Sequence, residues 1–244
     1  MDDHELMFEL SHSGRLEALH MLNEKPQRLT DISKALGLTS AEVSRHLGRL
    51  SKANLIIKDG KGRYSTTSFG TIILHELSNL KFLTKYNKYF LKHDISVLPD
   101  ELRWLSALSK CEIVEGTLEI MSMVEDLTKN AKRYVRIMSN QLMRTMVDVN
   151  VQKAKKGVVI KVIYPKDVDL PDSFRPKKGL SLEVRLIDEV KFSMKSNEKV
   201  AGIVLPNLNG KIDYEFGLIG SDPSFTRWAE ILFDHFWQKA DFAF

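Results

Sequence analysis

The stretch from Thr30 to Lys52 reads TDISKALGLTSAEVSRHLGRLSK and predicts two short helices joined by a tight turn. The first helix ends at Gly37, because glycine readily adopts the left-handed conformation that terminates a helix. The second begins after Thr39, which forms with Glu42 the Thr-x-x-Glu pattern of a capping box. Two helices joined by a short turn that contains glycine are typical of a helix-turn-helix.

The second helix of this pair has an apolar face and an opposite face of small or basic residues. Val43, Leu47 and Leu50 recur at helical spacing and are expected to point inward. Small side chains let a helix approach the floor of a DNA groove, and arginines bond guanine edges or phosphates. We therefore predict a recognition helix in the major groove. Its predicted DNA-contacting residues are Ser40, Ala41, Ser44, Arg45, Arg49 and Lys52.

A β-hairpin is predicted directly after the recognition helix. Two runs rich in β-forming residues, 55–58 and 63–66, flank the sequence Asp-Gly-Lys-Gly, and Asp-Gly between such runs is a strong hairpin signal. The hairpin carries Lys58, Lys61 and Arg63, which suit contact with the phosphate backbone. These three residues complete the predicted DNA-binding set, and the hairpin is interpreted as a wing.

The excess positive charge of the chain is confined to this region. Residues 25–63 hold nine basic and three acidic residues, a net charge of +6, whereas the whole chain of 244 residues has +4. The rest of the chain is therefore slightly acidic, at −2. This distribution indicates a module that binds a polyanion, attached to a nearly neutral body.

Three motifs in residues 14–70 carry a family resemblance: Ser44-Arg45-His46-Leu47-x-x-Leu50, Ala53-Asn54-Leu55-Ile56 and a Gly-Lys-Gly-Arg-Tyr wing. With them the segment resembles the winged helices of the arsenical-resistance-repressor and multiple-antibiotic-resistance regulator classes. The resemblance implies a homodimer bound to a pseudo-palindromic site in double-stranded DNA. Metal-sensing members carry cysteines on the first helix of the pair. Residues 30–36 contain none, so no metal site and no cofactor is expected.

Residues 69–92 predict one long helix. Its apolar stripe comprises Ile72, Ile73, Leu77, Leu80, Leu83, Tyr86 and Phe90, and four lysines share another face. A winged helix of this size cannot cover the whole stripe, so we interpret the helix as a linker and dimerisation element; packing on its own domain is the alternative. The predicted organisation is a winged helix-turn-helix at 1–68, a linker helix at 69–93 and a further domain at 94–244.

Alternating helices and strands are predicted in residues 94–244. The helices are expected at 100–108, 117–130, 141–156 and 223–239, and the strands at 112–114, 134–139, 158–164, 180–187, 200–205 and 212–219. Strands separated by helices predict a mixed sheet with parallel members, so the fold class is α+β with an α/β C-terminal domain. Asn209-Gly210 predicts the turn of an antiparallel hairpin.

A second resemblance rests on His93-Asp94-Ile95-x-x-Leu98-Pro99, Glu112-Ile113-Val114-Glu115-Gly116, Lys156-Gly157-Val158 and Trp228-x-x-x-Leu232-Phe233-x-x-x-Trp237. With these motifs the region resembles the sensor domain of archaeal winged-helix regulators of the methanogenesis and filament-growth regulatory family. It also looks like a distant relative of archaeal sugar-responsive regulators with a degenerate phospholipase-D-like effector domain. The resemblance implies sensing of a ligand or signal, without chemistry.

Polar residues near the ends of predicted strands are candidates for an effector pocket. They are Ser139, Asn140, Tyr164, Arg185 and Asp188. Open α/β sheets bind ligands beyond the carboxyl ends of their strands, which is where these residues are expected. Surface loops with nothing bound are the alternative interpretation. A small-molecule effector is therefore a candidate partner beside DNA.

A phospholipase-D-like phosphodiesterase or nuclease is the competing function. That chemistry needs a histidine nucleophile and a lysine two residues later to hold the phosphoryl oxygens. None of the seven histidines is followed by such a lysine, and we find no phosphate-binding glycine loop, metal-binding histidine pair or Gly-x-Ser-x-Gly motif. We therefore expect no enzyme and no catalytic residue. A transcription-machinery adaptor that uses the winged helix for protein contacts is the third possibility.

The remaining features of the sequence concern compartment. No apolar run approaches the roughly 18 residues that a membrane span requires, and the acidic start, Met-Asp-Asp-His-Glu, lacks the order of a signal peptide. The single cysteine, Cys111, excludes an internal disulfide and a thiolate-rich metal site. The sequence therefore predicts a cytoplasmic protein without membrane contact.

Overall fold

The computed structural model describes residues 2–103, 105–175, 177 and 179–244. The chain forms two compact units, an N-terminal unit of residues 1–81 and a C-terminal unit of residues 82–244. The boundary between the two units falls inside the segment 69–93, which the sequence predicts to be a linker helix. No helix in the described part of the chain is both long and apolar enough to cross a membrane.

The N-terminal unit combines helices with a small antiparallel sheet. Its helices are α1 (Asp3–Leu10), α2 (Ser13–Glu24), α3 (Leu29–Leu36), α4 (Ser40–Lys52) and most of α5 (Ser68–Lys85). Its three strands are β1 (Gln27–Arg28), β2 (Ile56–Lys58) and β3 (Arg63–Thr66), in the spatial order β1-β3-β2. The predicted order of helix, turn, helix and hairpin is confirmed.

Local sequence explains where α3 and α4 end and begin. Gly37 follows α3 with a φ of +65°, the left-handed conformation expected of a helix-terminating glycine. At the start of α4, the backbone N–H of Thr39 donates to Glu42 at 2.9 Å, and the N–H of Glu42 donates to the Thr39 hydroxyl at 3.3 Å. The predicted capping box is therefore present, and it fixes the start of α4.

The core of the N-terminal unit lies between α2, α3 and α4. Leu19 of α2, Ile32 of α3 and three residues of α4 (Val43, Leu47 and Leu50) are fully buried in one apolar cluster. The predicted inward face of α4 is thus confirmed. Because this face is buried, the opposite face of the helix is left outside the core.

The expectation of one helix over residues 69–92 is wrong at its C-terminal end. Helix α5 stops at Lys85, Tyr86 leaves the helical conformation (φ −110°, ψ 24°), and α6 (Asn87–Phe90) is a separate turn. The aromatic side chains explain the break, since they pack edge-on with ring centroids 5.1 Å apart for Phe82–Tyr86 and 5.3 Å for Tyr89–Phe90. All four belong to the core of the C-terminal unit.

The C-terminal unit is built on an eight-stranded sheet. Its strands are β4 (Glu112–Glu115), β5 (Tyr134–Met138), β6 (Val159–Pro165), β7 (Leu182–Ile187), β8 (Ser193–Asn197), β9 (Ala201–Val204), β10 (Phe216–Gly220) and β11 (Asp241–Phe242). Its further helices are α7 (Leu105–Leu108), α8 (Thr117–Asn130), α9 (Arg144–Lys155) and α10 (Pro223–Lys239). The strand order is β11-β7-β6-β5-β8-β9-β10-β4.

Strand direction confirms the predicted mixed sheet. Strands β5, β6 and β7 pair in parallel, and the other neighbouring strands pair antiparallel. Consecutive side chains of a strand point to opposite faces, and apolar clusters cover both faces. Val162 of β6 packs with α9, whereas Ile163, the next residue, packs with Trp228 and Phe233 of α10.

Three predicted elements of this unit need correction. The helix expected at 100–108 is a 3-10 turn (Asp100–Leu102) followed by α7, and Trp104 lies outside the described residues. Helix α9 begins three residues later than predicted, at Arg144, and the strand expected at 212–219 is shifted to β10. Strand β11 was not predicted, because two residues form no readable pattern. The Asn209-Gly210 turn is confirmed, with the Asn207 N–H donating to the Lys211 carbonyl at 2.8 Å.

Strand β8 was also missed, for a physical reason. Its sequence, Ser-Met-Lys-Ser-Asn, contains no β-branched or aromatic residue, and these are the residues enriched in strands. All five residues are nevertheless buried, because β8 lies in the middle of the sheet between β5 and β9. A polar strand in this position places a lysine, Lys195, inside the unit.

Candidate nucleic-acid interface and C-terminal cavity

The structure places all six predicted α4 residues on its exposed side. Ser40, Ala41, Ser44, Arg45, Arg49 and Lys52 are exposed. Within the described part of the chain, the side chains of Arg45 and Lys52 form no hydrogen bond and no ion pair, so both cationic groups are available to a partner. At Gly48, on the same side, an added Cβ atom would meet nothing within 4 Å. This glycine is therefore not required by packing within the unit.

Arg49 differs from Arg45 because it is paired with α1. Its Nε lies 3.0 and 2.8 Å from the two carboxylate oxygens of Glu9, and its guanidinium carbon lies 4.9 Å from the centroid of the Phe8 ring. Glu9 also contacts the Nε of Arg15 at 3.2 Å. The hydrogen bond from Arg49 is the main cause that holds the pKa of Glu9 below its usual value. Arg49 is thus held on the α1 side of α4.

The hairpin between β2 and β3 is closed by Asp59. Its carboxylate accepts hydrogen bonds from the backbone N–H groups of Lys61 at 2.9 Å and Arg63 at 2.8 Å, and from the Arg63 side chain at 2.9 Å. These bonds, the Arg63 backbone bond first, lower the pKa of Asp59. Lys58, Lys61 and Arg63 are all exposed. The turn therefore presents its cationic side chains on an ordered backbone.

The five predicted effector residues do not form one group. Ser139 and Tyr164 line a cavity on the α8–α9 side of the sheet. Arg185 lies on the α10 side, where it donates to the Trp237 carbonyl at 2.8 Å and stacks 4.4 Å from that indole. Asp188 is exposed and pairs with Lys166 at 2.8 Å. The structure therefore brings only part of the predicted set together.

Asn140 joins a polar cluster at the lining of this cavity. The Tyr214 hydroxyl donates to the Asn140 side-chain oxygen at 2.7 Å, and it lies 2.6 Å from the Ser193 hydroxyl and 3.4 Å from that of Ser139. Ser193 and Tyr214 were not among the predicted residues. Ser193 belongs to the missed strand β8, and Tyr214 precedes β10 without a motif that would single it out.

The cavity itself has a volume of about 330 Å³ and lies between α8, α9 and the strands β5, β8, β9 and β10. Most of its lining is apolar and includes six methionines, Met121, Met123, Met138, Met143, Met146 and Met194. Methionine is flexible and polarizable, which lets such a lining adapt to the shape of an occupant.

One cationic side chain lines the cavity. Lys195 is 6% exposed, and in the described residues its ammonium forms no hydrogen bond and no ion pair. Loss of hydration on burial lowers its pKa to about 7, against a smaller opposing effect of Glu125. Sequence reasoning missed this residue because the strand that carries it was not recognised. No group of three or more metal-ligating side chains occurs in the part of the chain that is described.

Part of the chain matches a known protein family. Residues 12–58 match the family described as bacterial regulatory proteins of the arsR family. The matched segment runs from the start of α2 to the end of β2 and includes the helix-turn-helix. The N-terminal unit therefore contains a helix-turn-helix of the type found in these DNA-binding regulators.

Two solved structures are similar to the chain at low sequence identity. One is TrmBL2, described as an archaeal chromatin protein with a novel mode of DNA binding, with 13% identity and a TM-score of 0.46 over 98% of this chain and 99% of that chain. The other is Nuc from Salmonella typhimurium, a phospholipase D family member, with 10% identity and a TM-score of 0.39 over 54% of this chain and 97% of that chain. No curated protein matches the chain in sequence.

Proposed function

We propose that the chain is a transcription regulator that binds specific sequences of double-stranded DNA through α4 and the β2–β3 hairpin. The observation that carries the proposal is the exposed side of α4. It presents Arg45 without a protein partner among the described residues, opposite the fully buried Val43 and Leu47. An arginine in this position can bond bidentately to the O6 and N7 atoms of guanine.

The small residues of the same side support a groove-bound helix. Ala41, Ser44 and Gly48 are exposed, and the space above Gly48 is open. A helix interior normally disfavours glycine by about 0.5–1 kcal/mol relative to alanine. A glycine that packing does not need, on the side that carries Arg45, fits a helix that approaches the edges of base pairs closely.

The other cations divide into two groups. Lys52, Lys58, Lys61 and Arg63 are exposed and are assigned to phosphates, which position the protein without reading sequence. Arg63 is paired within its own hairpin, with Asp59 at 2.9 Å, whereas Arg49 is paired with Glu9 of α1. In this proposal Arg49 contributes to DNA binding through its charge and its support of α1, and Arg45 reads bases.

A homodimer is the second part of the proposal. One recognition helix covers half of a two-fold operator, and half-sites lie about 34–36 Å apart. Helix α5 offers exposed apolar side chains at Phe69 (40%), Ile72 (60%) and Leu80 (46%). Residues 69, 72 and 80 fall within one stripe at 100° per residue, so they could pack against a second copy.

A non-catalytic sensing role for the C-terminal unit is the third part. None of the seven histidines is followed two residues later by a lysine, so the sequence lacks the histidine–lysine pair that phosphodiesterases of the phospholipase D type use. The Ser193 hydroxyl is engaged by Tyr214 at 2.6 Å. Hydrolysis by that mechanism therefore lacks its nucleophile. The cavity beside these residues suits binding of a small molecule.

The proposal is tested by selecting binding sites from random duplex DNA with the full chain, followed by titration at fixed salt. A pseudo-palindromic consensus is expected. Arg45→Ala should weaken binding to that consensus by about 5- to 150-fold. Arg144→Ala, which removes an exposed arginine from α9, is the matched control and should bind normally. If no sequence is selected and the chain instead binds proteins of the transcription machinery, an adaptor role would be favoured.

A further inference from the structure

The cavity of the C-terminal unit has the size and lining of a small-molecule pocket. Pockets for such ligands span about 300–1,000 Å³ and are mostly apolar with a few polar groups. The volume of about 330 Å³ lies at the lower end of this range. An occupant must therefore be small, with an apolar body that can contact the six methionines.

Lys195 places a positively charged group in the lining, and a ligand would have to complement that charge. Its side chain is buried at the cavity lining, and in the residues described it forms no ion pair and no hydrogen bond; the carboxylate of Glu125 acts on it only from beyond ion-pair distance. Burial of an ammonium without a close partner is costly because hydration is lost, and this cost is what lowers the pKa of Lys195. An anionic group inside the cavity would restore the missing interaction.

Another residue of the lining carries a buried polar atom without a hydrogen-bond partner in the described structure. Asn150 of α9 lines the cavity and is 2% exposed, and its side-chain oxygen has no hydrogen-bond partner in the described structure. The large majority of buried side-chain polar atoms in proteins have at least one hydrogen-bond partner. Asn150 is such an exception, and it shares the lining with Lys195 although the two lie on different elements, so the cavity offers both a cation and an unused hydrogen-bond acceptor to a ligand.

We propose that this cavity binds an amphipathic carboxylate, whose anionic head pairs with Lys195 and whose apolar body lies among the methionines. The apolar lining argues against sugars, since most of their hydroxyl groups would be left without partners. A single lysine suits a singly charged head better than a phosphate ester, which carries more charge. The proposal names a ligand class for the sensing role proposed above. Its biological meaning rests on that role, whereas the binding itself does not.

The test measures binding of sodium decanoate to the full chain by calorimetry and by thermal shift, with 1-decanol as a neutral ligand of equal length. Wild-type protein should bind decanoate at least tenfold more tightly than decanol, and decanoate should raise the melting temperature. Lys195→Met, which keeps the side-chain size, should lose at least tenfold in decanoate affinity and retain its affinity for decanol. Lys195→Arg should restore most of the preference for decanoate.

Lys161→Met is the matched control. Lys161 lies on β6, but its ammonium is 4.8 Å from the Trp237 ring on the α10 side of the sheet and does not line the cavity. Decanoate affinity should be unchanged in this variant. A loss of decanoate affinity in Lys161→Met would mean that charge outside the cavity attracts decanoate, and it would overturn the assignment of Lys195.

Three further results would overturn the proposal. They are equal affinity of the wild type for decanoate and decanol, unchanged decanoate affinity in Lys195→Met, and no decanoate binding up to the solubility limit. If Lys195→Met does not fold, the proposal is still tested by the decanoate and decanol affinities of the wild type and of Lys195→Arg. These assays contain no DNA, so their failure leaves the DNA-binding proposal standing, and failure of the operator selection leaves the decanoate result standing.

Discussion

Arg49 and Glu9 form a two-point ion pair, with N–O distances of 2.8 and 3.0 Å from the Arg49 Nε and 2.5 Å from its terminal nitrogen. The side chain of Arg45, four residues earlier in the same helix, forms no ion pair or hydrogen bond among the described residues. Two arginines of one exposed surface therefore differ in what they are free to contact. The pair also connects α1 to α4, residues that are 40 positions apart in sequence.

The ion pair predicts a specific acid dependence of stability. Arg49 holds the pKa of Glu9 below the usual value of 4.5, so the contribution of Glu9 to stability is present above that value. It is lost as the pH falls through the lowered pKa. Glu9→Gln should therefore be less stable than wild type at neutral pH and lose less stability between about pH 5 and pH 3.

Denaturant titrations at several pH values measure this dependence. Glu17→Gln, which changes an exposed glutamate of α2, is the control and should follow the wild-type profile. Identical acid profiles for Glu9→Gln and wild type would show that the ion pair does not couple to folding.

Substitutions at Gly48 should change the stability of the fold and the affinity for DNA in opposite directions. Gly48→Leu places a better helix former in open space, so the free energy of unfolding should rise by about 0.5–1 kcal/mol. The same side chain should obstruct the approach to the groove and weaken binding to the selected operator at least tenfold. Gly48→Ala gives a similar gain in stability with much less bulk, so it should bind more tightly than the leucine variant. Operator affinity that is equal in all three proteins would remove Gly48 from the interface.

Lys61 should contribute to DNA binding without contributing to sequence preference. Lys61→Ala should weaken binding similarly on operator and random duplexes and reduce the salt slope of the binding constant by about one unit. Titrations over a range of salt concentrations measure this slope. Lys211→Ala removes an exposed lysine from a turn of the C-terminal unit and should leave the slope unchanged. A loss confined to one operator would instead mean that the wing reads bases.

Ile72 provides a direct test of the proposed homodimer. Its side chain is 60% exposed, so Ile72→Glu should fold normally and shift the molecular mass in light scattering from dimer to monomer. Leu77 is less informative, because it packs against the core of its own unit. Leu118→Glu, at a position of α8 that is 78% exposed, should leave the mass unchanged. A wild-type monomer at micromolar concentration would contradict the dimer outright.

Sequence predicted the N-terminal unit well because its signals are local. The helix-terminating Gly37, the Thr39–Glu42 capping box and the apolar spacing of α4 each act within a few residues. The same local signals failed at Tyr86, where a helical pattern continues but aromatic packing in the C-terminal unit ends the helix. Helix ends set by long-range contacts cannot be read from spacing alone.

The candidate sites show the same distinction. The exposed side of α4 follows from helical periodicity, whereas the Arg49–Glu9 pair depends on how α1 packs and has no signal in the sequence. Lys195 was missed because a central strand of polar composition contradicts ordinary strand preferences. A buried lysine in such a strand can be recognised only when the strands on either side of it are known.

The outer strands of the large sheet have a consequence for behaviour at high concentration. Its two edges are β4, which begins and ends with glutamate, and β11, which is two residues long and begins with aspartate. Long, flat, uncharged edges present unpaired backbone groups on which another chain can add a strand. Short and acidic edges repel such additions. Copies of this chain that meet in a crowded solution are therefore protected from growing, strand upon strand, into open-ended fibres.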